Sequence, residues 1–177
     1  MSKRVQVVIL CEDDQQENFA RAYLKSRGTS VCRVVKCPAG KGSGAQFVIS
    51  NYPPELEARR RDSVHRSLVA ILDEDSLGVA RRQRQLDEAC RQQGIQPRND
   101  DDRVGIFIPA RNIETWLRYL EGQEVNETGD WSPHGPHKPI GCKPHIDRLG
   151  QLCPAGVWAH TAPAQLRAAC AEVSRIL

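Results

Sequence analysis

No apolar run in this chain is longer than a strand, so no stretch is long enough to cross a bilayer as a helix. The start, Met1-Ser2-Lys3-Arg4, leads straight into a strand-like run without the apolar core of a signal peptide. Together these absences lead us to expect a cytoplasmic chain without a membrane partner. Cys11, Cys32, Cys37, Cys90, Cys142, Cys153 and Cys170 are then expected as reduced thiols, several of them small buried hydrophobes. No internal repeat and no low-complexity tail is present. The 177 residues suit one domain able to bury a core without staples. A strong charge bias is missing too: the formal net charge is only +3. The basic residues are unevenly spread, however. Arg59-Arg60-Arg61 with Arg66, and Arg81-Arg82 with Arg84, form dense clusters that suit phosphate, although either alone also reads as a solvated helix face. A Walker A motif is absent. Lys41 in the glycine-rich loop 38–44 is followed by Gly42 rather than Ser or Thr, and the G-x-x-x-x-G-K spacing is missing.

What the chain does have is acidic residues at the ends of apolar strands. Val5 to Cys11 runs into Glu12, and Leu68 to Leu72 runs into Asp73-Glu74-Asp75. In an open α/β sheet the C-terminal rim of the strands is where ligands bind. If the strand continues, Asp73 and Asp75 share one face and Glu74 points away. Glu12 joins them if the two strands are neighbours. Converging carboxylates repel unless a cation neutralises them, and hard oxygen ligands suit Mg²⁺ or Mn²⁺.

Strands and helices alternate through the first two thirds. Strands are expected over 4–11, 31–37, 67–73 and 103–108, and helices over 14–27, 77–93 and 113–121. Asp13 or Asp14 caps the first helix. Pro53-Pro54 is expected to split the region after the glycine loop into a short helix ending near Asn51 and a second over 55–64. Ile113, Trp116, Leu117 and Leu120 mark the buried stripe of the helix that Asn112 caps. Alternation of this kind implies an α/β fold with a mainly parallel sheet of about four strands and helices on both faces. Residues 123–145 are rich in Pro, Gly and His and read as irregular, and helices near 144–153 and 163–176 close the chain as a small elaboration on the same domain.

Glu12 after one strand and Asp73-x-Asp75 after a later strand resemble the Toprim fold, the metal-binding domain of topoisomerases, DnaG-type primases and OLD-family (overcoming lysogenization defect) nucleases. The OLD-type branch is the most similar, because Asn112-Ile113-Glu114 matches its small-polar-x-Glu motif after the next strand. The resemblance covers residues 4–122, making 1–122 a Toprim-like catalytic domain. It implies Mg²⁺- or Mn²⁺-dependent cleavage of nucleic acid, with DNA as the expected partner. Glu12, Asp73, Asp75, Glu114 and Asn112 would be metal ligands, and Glu12 alternatively a general acid or base. Lys41, Arg59, Arg60, Arg81, Arg82 and Arg111 would hold nucleic acid. A late catalytic lysine would be Lys138 or Lys143. The pattern departs at Asp13, where glycine often stands, and at Gln16, where OLD-type enzymes often carry a second acid; Asp14 and Glu17 are the nearby substitutes. OLD-type nucleases also carry an ABC-type ATPase, so a stand-alone chain of this kind, as in anti-phage systems, would take an ABC- or AAA-type ATPase from another chain.

Other readings compete. Glu114 suits a helix N-terminus on electrostatic grounds alone. His134-x-x-His137 and Cys142-x-x-His145 have the spacing of a structural zinc site, the alternative being chance clustering in a loop. Ile9 to Asp14 also looks like the acidic cluster of a signalling receiver domain, with Asp73 as phosphoacceptor. The same fold without catalysis would be a nucleic-acid-binding or assembly subunit.

Overall fold

The computed structural model describes residues 4–126 and 140–177. Its elements are β1 (Gln6–Cys11), α1 (Asp14–Ser26), β2 (Ser30–Lys36), α2 (Gly44–Arg60), β3 (Ser67–Ile71), α3 (Val79–Gln92), β4 (Val104–Phe107), α4 (Ile113–Leu120), α5 (Lys143–Ala155) and α6 (Ala164–Ser174). The four strands form one parallel sheet in the order β2-β1-β3-β4. The expected α/β architecture is therefore present.

Both faces of the sheet are covered, which is why its central strands are apolar throughout. Val7, Ile9 and Cys11 of β1 pack with Phe19, Trp116, Leu149 and Leu166, on the face that carries α1, α4, α5 and α6. Val8 and Leu10 point the other way, into a core with Tyr52, Leu56 and Leu86 from α2 and α3. Chain order explains the split. The β1–α1–β2 crossover runs outward to one side of β1, and the β2–α2–β3 crossover returns to its other side. Crossovers of one hand then put α1 and α2 on opposite faces. The direction reverses between β1 and β3, and there the rim opens into a crevice.

Two local expectations are corrected. α2 is a single helix that runs through Pro53 and Pro54. Each proline disfavours a helix interior by about 3 kcal/mol, but Tyr52, Pro53 and Leu56 are buried on this stretch, and packing outweighs local propensity. The strand expected over 67–73 ends at Ile71, two residues before the first rim carboxylate.

The edge strand β4 is covered by α6. Glu172 accepts the Ile106 N–H at 2.7 Å, and Gly105 leaves room for the helix: a Cβ there would lie 3.2 Å from the Glu172 carbonyl oxygen. Cys153 and Cys170 form a disulfide joining α5 to α6, contrary to the expectation that all seven cysteines are thiols. Fold proximity decides that pairing, since the two residues are 17 apart in sequence and nothing local marks them as partners. No helix among the described residues is long and apolar enough to cross a membrane.

Candidate functional site

Glu12 and Asp73 meet at the crevice. Glu12 follows β1 directly, and its Oε1 accepts the Asp73 backbone N–H at 2.6 Å, closing the rim between β1 and β3. Its own N–H donates to Gln16 Oε1 at 3.0 Å. Gln16 is held in turn by Asp13, whose Oδ1 accepts the Gln16 N–H at 2.8 Å as the N-cap of α1. Asp13 thus has the capping role expected of it. The first residue of α2, Gly44, presses on the Glu12 side chain. A Cβ at Gly44 would stand 2.7 Å from both Cβ and Oε2 of Glu12.

Asp73 is 9 % exposed, and its Oδ1 is enclosed without a hydrogen-bond partner. Burial pushes its carboxyl well above the usual range, reinforced by the negative charges of Glu12, Asp13, Glu114 and Asp75. Burial likewise pushes Glu12 up to about 7, although the Asp73 N–H stabilises its ionised form. Two acids side by side, one buried and one half-buried, hold a proton close to neutrality.

The neighbouring acids have different partners. Asp75 does not share a face with Asp73 by strand alternation. The strand has ended, Asp75 adopts a left-handed backbone (φ 52°), and its Oδ2 receives Arg82 Nη2 at 2.6 Å. Arg82 is itself buried and donates from Nε to the Asp73 carbonyl oxygen at 2.9 Å. It braces the β3–α3 loop from inside, which corrects its assignment as a nucleic-acid contact. Glu74 does point away from Asp73. It ties the β3–α3 loop to the β4–α4 loop by accepting backbone N–H groups of Ser76 (2.9 Å), Gly78 and Arg111 (3.0 Å). Burial alone would raise the Glu74 pKa, but these donors outweigh it and leave it lowered. Asn112 caps α4 by accepting the Thr115 N–H at 3.3 Å, and Glu114 lies in the first turn of that helix.

No known family model matches the chain, and no curated protein or solved structure matches it. The site therefore rests on its own geometry.

Donor chemistry at Glu12 and Asp73 fits a hard divalent cation: both supply carboxylate oxygens, and one of these is enclosed with nothing to donate to it. As placed, however, no group of three His, Cys, Asp or Glu side chains among the described residues stands close enough to hold an ion. Asp14 and Glu17, the substitutes for a second acid near Gln16, are both engaged by Lys36, and Glu17 also pairs with Arg21.

The expected phosphate-binding residues separate into three groups. Lys41 in the β2–α2 loop, Arg81 in the first turn of α3 and Arg111 in the β4–α4 loop lie on the carboxylate rim. A cavity of about 310 Å³ there is lined by Glu12, Asp13, Lys36 and Gly40. Arg82 is internal. Arg59 and Arg60 sit at the opposite rim, beside the start of β3. Arg60 is spoken for by Asp102, at 2.7 and 2.9 Å, and by the carbonyl oxygens of Gln96 and Pro97. Consecutive numbering could not reveal this, because a 17-residue helix carries its last turn from one edge of the sheet to the other.

Lys143 is exposed and paired with Asp147 at 2.9 Å. Lys138, His134 and His137 lie outside the described residues. The other half of the suggested zinc pattern divides: Cys142 Sγ accepts from Gln15 Nε2 at 3.3 Å, whereas His145 Nε2 lies 3.0 Å from Glu121. The residue that sequence reading overlooked is Gly44, and Arg82 is the one to which it gave a different role. The Gly-x-Gly-x-Gly run of 40–44 signalled a turn, but only the fold puts its last glycine against Glu12.

Proposed function

We propose that this chain is a Toprim-like, divalent-metal-dependent nuclease that cleaves phosphodiesters of nucleic acid, DNA foremost. The observation that carries the reading is the Glu12–Asp73 pair: a half-buried and a buried carboxylate at the topological switch point of a parallel sheet, the buried one with an oxygen that nothing partners. Glu12 and Asp73 would hold a Mg²⁺ or Mn²⁺ ion, with Asp75, Glu114 and Asn112 the nearby oxygen donors. A cation bound there supplies positive charge for the phosphoryl oxygens and lowers the pKa of a water.

The chain's own groups support the rest of the chemistry. With a pKa near 7, Glu12 exchanges a proton at neutral pH and suits a general acid or base if it is not a ligand. Lys41, Arg81 and Arg111 on the same rim offer charge to the phosphates flanking the scissile bond. Arg82 positions rather than touches: it orients the Asp73 carbonyl and the Asp75 carboxylate. An ABC- or AAA-type ATPase is the partner this reading proposes, and co-purification with the tagged protein tests for it.

The receiver reading draws on the same strand order, which receiver domains share. Against it, the β4–α4 segment Ile108-Pro109-Ala110-Arg111 has no Ser or Thr for a phosphoryl group. Stable labelling by acetyl phosphate would favour the receiver.

The direct test is nicking of supercoiled plasmid with Mg²⁺ or Mn²⁺ by wild type and by Asp73→Ala/Asp75→Ala. Metal-dependent nicking that the double variant loses supports the nuclease. Nicking that survives the substitutions places the activity elsewhere. No nicking by the folded wild type moves the weight to a partner-dependent enzyme or a binding subunit.

A further inference from the structure

Arg59 lies in the last turn of α2, and its side chain is only 12 % exposed. Its Nε and Nη1 are enclosed and donate no hydrogen bond, although the Asp62 carboxylate stands 3.3 Å from Nη1. A buried donor left without a hydrogen bond is destabilising, the more so on a charged group. Asp62 gives this guanidinium an ion-pair partner but no hydrogen bond to Nε or Nη1, so two of its donors stay open to an acceptor.

Arg59 borders a cavity of about 460 Å³ at the N-terminal rim of the sheet, the end opposite Glu12 and Asp73. The lining contains three guanidiniums, Arg33 from β2, Arg59 from α2 and Arg66 from the segment entering β3, and no carboxylate. Gln6 orients Arg66, accepting from its Nε at 3.1 Å. Glu55 and Asp62 pair with these arginines from outside the lining and offset only part of their charge. Arg59 and Arg66 share Asp62 and Arg33 pairs with Glu55, so three guanidiniums against two carboxylates leave the opening with an excess of positive charge that favours an anion. Guanidiniums approaching from different elements suit the several oxygens of a phosphoryl group, which arginine contacts through paired N–H donors. The volume falls within the range of small-ligand sites.

We propose that this cavity is an anion site for a phosphoryl group, separate from the carboxylate crevice and independent of any metal there. The group belongs either to a small phosphate compound or to the backbone of a nucleic acid, and the test separates the two.

Isothermal titration in EDTA would use inorganic pyrophosphate in one arm and a single-stranded oligonucleotide in the other. Wild type, Arg33→Gln, Arg66→Gln and Arg59→Lys would be compared. Arg33 is half exposed and Arg66 about one third exposed, so their variants should fold even if changes at Arg59 do not. Saturable binding that falls about tenfold or more in Arg33→Gln and Arg66→Gln supports the site. Response in the pyrophosphate arm identifies a small phosphate, and response in the oligonucleotide arm alone identifies the backbone. The Glu12→Gln/Asp73→Asn variant should bind as wild type does, so failure of the nuclease reading leaves this result standing. No binding at millimolar ligand, or binding indifferent to the arginine substitutions, overturns the proposal.

Discussion

The Glu12 carboxylate and the Asp73 backbone N–H meet at 2.6 Å across the mouth of the β1–β3 crevice, so the two acids of the rim are locked together. That bond brings a second carboxylate beside one that is already buried. Burial is the main reason both hold protons unusually well, and the charge of Glu12 adds to it at Asp73; the bond itself favours the ionised form of Glu12.

The pair makes stability depend on pH in a defined direction. Glu12 rises from its usual 4.5 to about 7, and Asp73 is raised also, so between these limits the folded state binds more protons than the unfolded chain. Their contribution is therefore fullest below the unfolded values and fades as pH rises toward the folded ones. Asp73→Asn removes one of the charges. It should stabilise the protein by about 0.5–2 kcal/mol at slightly alkaline pH and much less below the usual carboxylate range. Thermal melts across that span check it; equal effects at both ends would show that the acids do not repel.

A divalent cation should take over the role of those protons. At a hundredfold excess over its dissociation constant, Mn²⁺ or Mg²⁺ should stabilise wild type by about 2.7 kcal/mol. Binding near neutral pH should also release protons, measurable by calorimetry in buffers of different ionisation enthalpy. Glu12→Gln/Asp73→Asn should lose both effects. A variant that retains the full cation-induced shift would place the ion elsewhere.

Gly44→Ala should destabilise, by about 1–3 kcal/mol, because the new methyl group would overlap Glu12. Gly150, within α5, has open space around its missing Cβ, so Gly150→Ala should instead stabilise, by up to about 1 kcal/mol. Opposite signs for two glycine-to-alanine changes in helices separate a close contact from helix propensity, and denaturant unfolding of both variants reads them directly.

Glu74→Gln should destabilise by about 1–3 kcal/mol at neutral pH, since one oxygen of a carboxylate that receives three backbone donors becomes a donor itself. The pKa of Glu74 is lowered on folding, so its contribution is present above the usual 4.5 and lost as pH falls below it. The variant and wild type should therefore converge in acid. The same substitution should loosen the β3–α3 and β4–α4 loops together, visible as faster amide exchange at Ser76 and Arg111. Exchange that speeds in one loop only would contradict the tie.

Much of this arrangement was open to reading along the chain. Glu12 and Asp73 are acids that interrupt apolar runs, and burial of a strand makes such an interruption conspicuous. Asp13 and Asn112 precede amphipathic helices, where a short polar side chain meets free N–H groups. Arg59 and Arg81 look alike in sequence, each in a basic run on a helix, yet α2 and α3 deliver them to opposite rims. Cys153 and Cys170 carried no local sign of their pairing.

The sequence by itself determined the alternation of strands and helices, the two-sided burial of β1 and β3, and the placing of acids at strand ends. These follow from periodicity and capping, which act within a few residues. Only the tertiary structure decided that α2 continues through two prolines, that Asp75 turns to Arg82, and that Gly44 closes on Glu12. Each depends on groups brought together by crossovers of fixed hand or by a left-handed loop residue. Packing and long-range charge set those contacts, and neither has a signature in local spacing.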